Sequence, residues 1–307
     1  MQERKRELRT GKRQSYSISD GRRATMKECK DQEKLEGNYL VEKSNQLIMS
    51  EISRYDAPML KLLDIYLSKI NARDPSTIEV IFTKQELCKI MGIHPKSDIS
   101  VFEEAGKKLT TTLIQFHDRR QKNNGVESQM GALFGLFEAF IDNGQRKFKI
   151  AANPYFMWVF FNLQISGYTS YPVENTLSLK SKQSILLYQN LRMWLSISHR
   201  TTMQKEYMMD DLRMMLGVMS LYEEKKELMW MLNRCINEIN GKTDMDVSMQ
   251  TIKSGKTVIG VSFTATRKQA EGKQDVIDVP DETSANDTED TLAPSGTLDN
   301  DGLIFEL

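Results

Sequence analysis

The order helix, short helix, turn, longer helix, β-hairpin occurs twice between residues 56 and 265, and it predicts an α+β fold of two winged helices in tandem. Two further observations frame that expectation. With 39% hydrophobic and 27% charged residues in 307, the chain is apolar enough for a packed core and polar enough to dissolve. Residues 1–38 and 269–307 lack apolar periodicity, which predicts a disordered basic N-terminal arm and a disordered acidic C-terminal tail. The expected domains are the arm at 1–38, a first winged helix at 39–166, a second at 167–268 and the tail at 269–307.

The elements follow from local chemistry. A helix is expected from about Asp56 to Ile70, with Asp56 as N-cap, Pro58 in the first turn, and Met59, Leu63, Tyr66, Leu67 and Ile70 at helical spacing. Ile78–Phe82 reads as a short strand. Thr83-Lys84-Gln85-Glu86 is a capping box that opens a short helix ending at Gly92. A second helix is expected from Ser97–Ser100 to Ile114, with Phe102, Ala105, Leu109 and Leu113 on its core face. Strand-like runs near 132–141 and 146–151 flank Asp142-Asn143-Gly144, a hairpin signal.

In the second half a long helix is expected from Ser178 to Leu195. A short one is expected from Asp210, as N-cap, to Gly217, and a longer one from Tyr222 to Asn240. Strands near 246–251 and 257–265 close the unit around Lys253-Ser254-Gly255-Lys256.

The net charge of zero hides an asymmetry. Residues 269–307 hold eleven acidic residues and one basic one, Lys273, which leaves a surplus of ten positive charges on residues 1–268. A basic body with an acidic tail points to a polyanionic partner.

Other classes are disfavoured. No apolar run approaches the roughly 18 residues of a membrane span. The charged start, Met1-Gln2-Glu3-Arg4-Lys5-Arg6, has no apolar segment behind it, so no secretory signal is expected. Cys29, Cys88 and Cys235 form no CxxC, which fits a reducing cytoplasm without disulfides or structural zinc. His94, His117 and His199 form no metal-binding pair and GxxxxGK[ST] is missing, so no metal, cofactor or catalytic residue is expected. Asp210-Asp211 resembles a metal pair, but helix capping is the simpler assignment.

The free faces carry the candidate site. On the wheel of residues 222–240, Leu228, Met231, Leu232, Cys235, Ile236 and Ile239 cluster on one side. The opposite side presents Glu223, Lys226, Trp230, Asn233, Arg234 and Asn237. Arg suits guanine and Asn suits adenine in the major groove. Trp230 either stacks on DNA or fills an interdomain seam. The helix near 97–114 leaves Ser100, Glu104, Lys107 and Thr111 opposite its core face, with Lys108 at the flank. Both wings are candidates for backbone contact, and Lys253 and Lys256 at the second tip are the better one.

Several stretches taken together resemble one family. They are Asn45-Gln46-Leu47-Ile48, Leu63-Asp64-Ile65-Tyr66-Leu67-Ser68-Lys69-Ile70-Asn71 and Phe82-Thr83-Lys84-Gln85-Glu86-Leu87. Further on come Leu179-Lys180-Ser181-Lys182-Gln183-Ser184-Ile185-Leu186-Leu187-Tyr188, Asp211-Leu212-Arg213-Met214-Met215-Leu216-Gly217 and Glu238-Ile239-Asn240-Gly241-Lys242-Thr243-Asp244. The last is Ile252-Lys253-Ser254-Gly255-Lys256-Thr257-Val258-Ile259-Gly260-Val261-Ser262-Phe263. In this order, over about residues 40–266, the chain resembles the plasmid replication initiator (Rep) family of theta-type, iteron-binding proteins.

The resemblance implies a cytoplasmic, non-enzymatic protein that binds double-stranded origin repeats. It also implies opening of a neighbouring AT-rich segment, recruitment of the host replication initiator and replicative helicase, and a monomer–dimer equilibrium through the first winged helix. In such an equilibrium the dimer represses the initiator's own gene. The chain departs from the family where a basic pair is usual, near Met229-Trp230-Met231, so Lys225, Lys226 and Arg234 must supply that helix's charge. Two other readings are a winged-helix repressor without initiator activity and an origin-nicking enzyme. The missing His pair weighs against the latter.

Overall fold

The computed structural model describes residues 39–116, 129–161, 163, 167–222 and 224–268. The expected arm and tail, His117 and Glu223 lie outside the described residues.

The chain enters through β1 (Leu40–Ser44) and a short helix, α1 (Asn45–Met49). The first winged helix then runs α2 (Ala57–Leu67), β2 (Glu79–Thr83), α3 (Lys84–Ile90) and α4 (Ser100–Leu109). It continues through β3 (Leu113–Phe116), β4 (Gln129–Ala132), β5 (Phe134–Asp142), β6 (Gln145–Ala152) and a single turn, α5 (Met157–Phe160). A connector of β7 (Tyr168–Pro172) and α6 (Val173–Ser178) leads to the second copy. That copy comprises α7 (Lys182–Ser198), β8 (Thr202–Met208), α8 (Met209–Leu216), α9 (Lys225–Lys242), β9 (Met245–Ser254) and β10 (Thr257–Arg267).

The wing sheets of the two copies share one topology, to which the first copy adds the β3-β4 pair and α5. In each copy a short strand precedes the second helix and pairs with the last wing strand, giving antiparallel sheets β2-β6-β5 and β8-β10-β9. The helix starts are fixed by side chains. Asp56 accepts the Met59 amide, Thr83 the Glu86 amide and Ser181 the Ser184 amide, each at 3.0 Å. The second helix of each copy ends on a left-handed glycine, Gly92 and Gly217, both with φ +63°. The first wing turns through Asn143 and Gly144, both at positive φ, as the sequence signal required.

Four expectations need correction. The helix near 97–114 stops at Leu109. Thr110 and Thr111 turn their hydroxyls onto the Lys107 and Lys108 carbonyls, and three consecutive β-branched threonines disfavour another helical turn. Leu113 therefore leaves the core face, is 46% exposed and begins β3, which pairs with β4. The long helix of the second copy starts at Lys182 rather than Ser178, because Ser181 is its cap and Ser178 ends α6. Asp210 is not an N-cap: α8 begins at Met209, and Asp210 and Asp211 sit in its first turn, where carboxylates suit the helix dipole. Asp210 pairs with Arg213, and no group of three or more His, Cys, Asp or Glu among the described residues could hold a metal ion.

One core runs through both copies. In the first, Tyr66, Phe134 and Phe160 pack edge-on and tilted at 4.9–5.7 Å between ring centres. The run at 156–161, the most apolar of the sequence, buries Phe156, Val159, Phe160 and Phe161 here.

The copies are also joined by β1, which pairs antiparallel with β7. Beneath that pair lies a buried polar cluster. Lys43 donates to Asp64 at 3.2 Å and to Gln189 at 3.1 Å. Asp64 also accepts from Tyr171 at 3.1 Å and from Gln189 at 2.9 Å. Burial pulls the Lys43 amine below its ordinary range, against the opposing pull of the Asp64 carboxylate. No helix among the described residues is long and apolar enough to cross a membrane.

Candidate nucleic-acid interface

Helix α9 divides as the wheel requires. Leu228, Met231, Leu232, Cys235, Ile236 and Ile239 are buried, while Lys225, Lys226, Trp230, Asn233, Arg234 and Asn237 are exposed. Trp230 does not fill an interdomain seam: 61% of its surface is open. The Arg234 guanidinium lies 4.8 Å from the centre of its ring, one turn along the helix. Asn233 donates its amide to the Met229 carbonyl at 3.0 Å, and so keeps one N–H and its own carbonyl for a ligand.

The wing adjoins this face. Lys225 at the start of α9 donates to the Val258 carbonyl at 2.9 Å, and Val258 is the cross-strand neighbour of Lys253. A bulge between Val258 and Gly260 bends the ribbon just below its tip. The tip turns between Ser254 and Thr257 through Gly255, at φ +61°, and leaves Lys253 and Lys256 exposed. Among the described residues, no carboxylate lies within ion-pair distance of Lys226, Arg234, Lys253 or Lys256. The second copy thus presents four uncompensated cations, two amides and one indole on a helix and its wing. An anionic partner meets that field without first breaking an ion pair.

The first copy is built differently. Ser100, Lys107 and Lys108 are exposed on α4, but the Ser100 hydroxyl is held by Asp98 at 2.9 Å and Lys108 pairs with Asp56 at 3.4 Å. Its wing cations are also met by carboxylates. Arg146 forks onto Glu103 at 2.9 and 2.8 Å, Lys147 pairs with Asp142 at 2.7 Å, and Lys149 faces Glu138 at 3.4 Å. The expected site residues therefore form two groups, an open one on α9 with its wing and a largely compensated one on α4. Whether a cation is compensated was not visible in the sequence, because Arg146 and Glu103 are 43 residues apart.

Two helix-turn-helix units, each with an antiparallel wing, define a tandem winged-helix protein. Comparison with known families is consistent with that class. The family models "Initiator Replication protein, WH1" and "Initiator Rep protein, WH2" match residues 40–192 and 208–265. The chain belongs to the initiator replication (Rep) protein family. A solved structure described as "Crystal structure of Pi initiator protein in complex with iteron DNA" is similar, with a TM-score of 0.66 and 17% identity. The match covers 77% of this chain and 100% of that one. At that identity the likeness concerns the fold. No curated protein matches the sequence.

Proposed function

We propose that the protein initiates plasmid replication by binding tandem repeats of double-stranded origin DNA, with its second winged helix as the main reader. The observation that carries this is the open cationic face of α9 and its wing, set beside the compensated face of the first copy. Membership of the Rep family and the fold shared with an initiator described in complex with iteron DNA support the same reading.

On this reading α9 enters the major groove. Lys226, Asn233, Arg234 and Asn237 face the groove, Trp230 lies among them, and Lys225, Lys253 and Lys256 meet phosphates. Ser100, Lys107 and Lys108 add phosphate contacts from the first copy. The protein acts in the cytoplasm and without catalysis of its own. It opens the neighbouring duplex, recruits the host initiator and helicase, and as a dimer represses its own gene.

The test is binding to the repeats beside the gene against a scrambled duplex of equal length, across a salt series. A preference for the repeats that survives near-physiological salt is expected. Equal binding to both, collapsing as salt rises, would reduce the interface to phosphate contact alone.

A further inference from the structure

The centre of the open α9 face is apolar. Trp230 stands 61% exposed with Lys226 a turn before it and Asn233, Arg234 and Asn237 following. An indole carries a large hydrophobic surface and one N–H, so its place is on something that takes both out of water. Arg234 is four residues on, and helical side chains lean toward the N-terminus, which lays its guanidinium over the ring at 4.8 Å. The ring limits the freedom of the guanidinium. Among the described residues no acceptor takes an Arg234 N–H, so the fork remains available. The Asn233 amide, by contrast, is engaged by the Met229 carbonyl.

The base edges of the major groove expose one apolar group, the C5-methyl of thymine, and one acceptor pair suited to an arginine fork, guanine N7 and O6. Residues four apart on a helix are separated by about 6 Å along its axis. The lean of Arg234 shortens that separation: its guanidinium lies 4.8 Å from the centre of the indole, within reach of two adjacent bases about 3.4 Å apart.

We infer that Trp230 and Arg234 form one composite reader of a thymine beside a guanine: Arg234 forks onto the guanine while the indole covers the thymine methyl. The inference rests on the proposed DNA reading by α9 and adds the chemistry of the step that it reads. It makes Trp230 a specificity residue, where the proposed function alone requires no more of it than proximity.

The test begins with selection of bound duplexes from a random pool by the full chain. Each thymine of the selected site is then replaced by deoxyuridine, which removes the methyl group alone. For the wild type, one replacement next to a guanine should weaken binding about fourfold, the weight of one buried methyl group. Trp230→Ala should bind the thymine and uracil duplexes alike, and Trp230→Phe should keep part of the difference. Arg234→Ala should lose its preference at the neighbouring guanine.

If no thymine is sensitive in the wild type, or if Trp230→Ala shows the same loss on uracil, the composite reader is overturned while sequence-specific binding stands. If the pool yields no selected sequence, DNA reading by α9 fails as well. Because Trp230 lies outside the core, its variants should keep the wild-type circular dichroism, so a folding defect is separable from lost recognition.

Discussion

At the residue scale, two cations on one helix face should behave differently. Arg234 is oriented by an aromatic plane, whereas Lys226 is a free point charge on a flexible stem. Arg234→Ala should cost about 1–3 kcal/mol on the origin repeats and much less on a scrambled duplex. Lys226→Ala should weaken both duplexes alike and lower the salt slope by about 1. Fluorescence anisotropy titrations at several salt concentrations measure both. Asn233 and Asn237 were equivalent in the sequence. They differ in the structure: Asn233 donates its amide to the Met229 carbonyl, and no such bond is made by Asn237 among the described residues.

At the scale of the element, the wing and the glycine stops are testable. Replacing both Lys253 and Lys256 by alanine should reduce the magnitude of the salt slope by roughly 2 while preserving sequence preference, because a phosphate contact contributes about 0.9 each. Gly217 and Gly92 share φ +63°, but their surroundings differ. A Cβ at Gly217 would meet the Ser53 carbonyl oxygen at 2.8 Å, whereas one at Gly92 meets nothing within 4 Å. Gly92→Ala should therefore cost about 1–2 kcal/mol for the left-handed backbone alone, and Gly217→Ala distinctly more, by urea unfolding.

Helices and hairpins were legible because caps, turn glycines and apolar spacing all sit within a few residues of each other. Thr83, Gly92 and Asn143-Gly144 are where the sequence places them. Strand β8 was not legible. Its core-side row is Met203, Lys205 and Tyr207, and Lys205 sets its amine over the Trp194 ring at 3.8 Å, so apolar alternation is broken by a lysine held there by a cation–π contact. The end of α4 was missed because Leu113 keeps helical phase with Leu109 across a threonine run that ends the helix.

At the scale of the molecule, the two copies are held by a polar cluster that no local pattern announces. Lys43 lies in a strand that reads as half-solvated, and its partners Asp64 and Gln189 come 21 and 146 residues later. Asp64→Ala strands the buried Lys43 amine and should destabilise the fold by about 3–5 kcal/mol. The double change Lys43→Met, Asp64→Leu should recover only part of that loss, because the buried Tyr171 hydroxyl and Gln189 amide lose their Asp64 acceptor; denaturant unfolding of the two variants would show it.

The same scale holds the central claim, that the second copy reads sequence while the first adds position. The direct measurement is the ratio of affinities for origin repeats and scrambled duplex, taken for Arg234→Ala/Asn237→Ala and for Lys107→Ala/Lys108→Ala. The ratio should fall toward one in the α9 variant and stay near the wild-type value in the α4 variant. An unchanged ratio in the α9 variant, or its collapse in the α4 variant, would contradict the assignment of reading to α9.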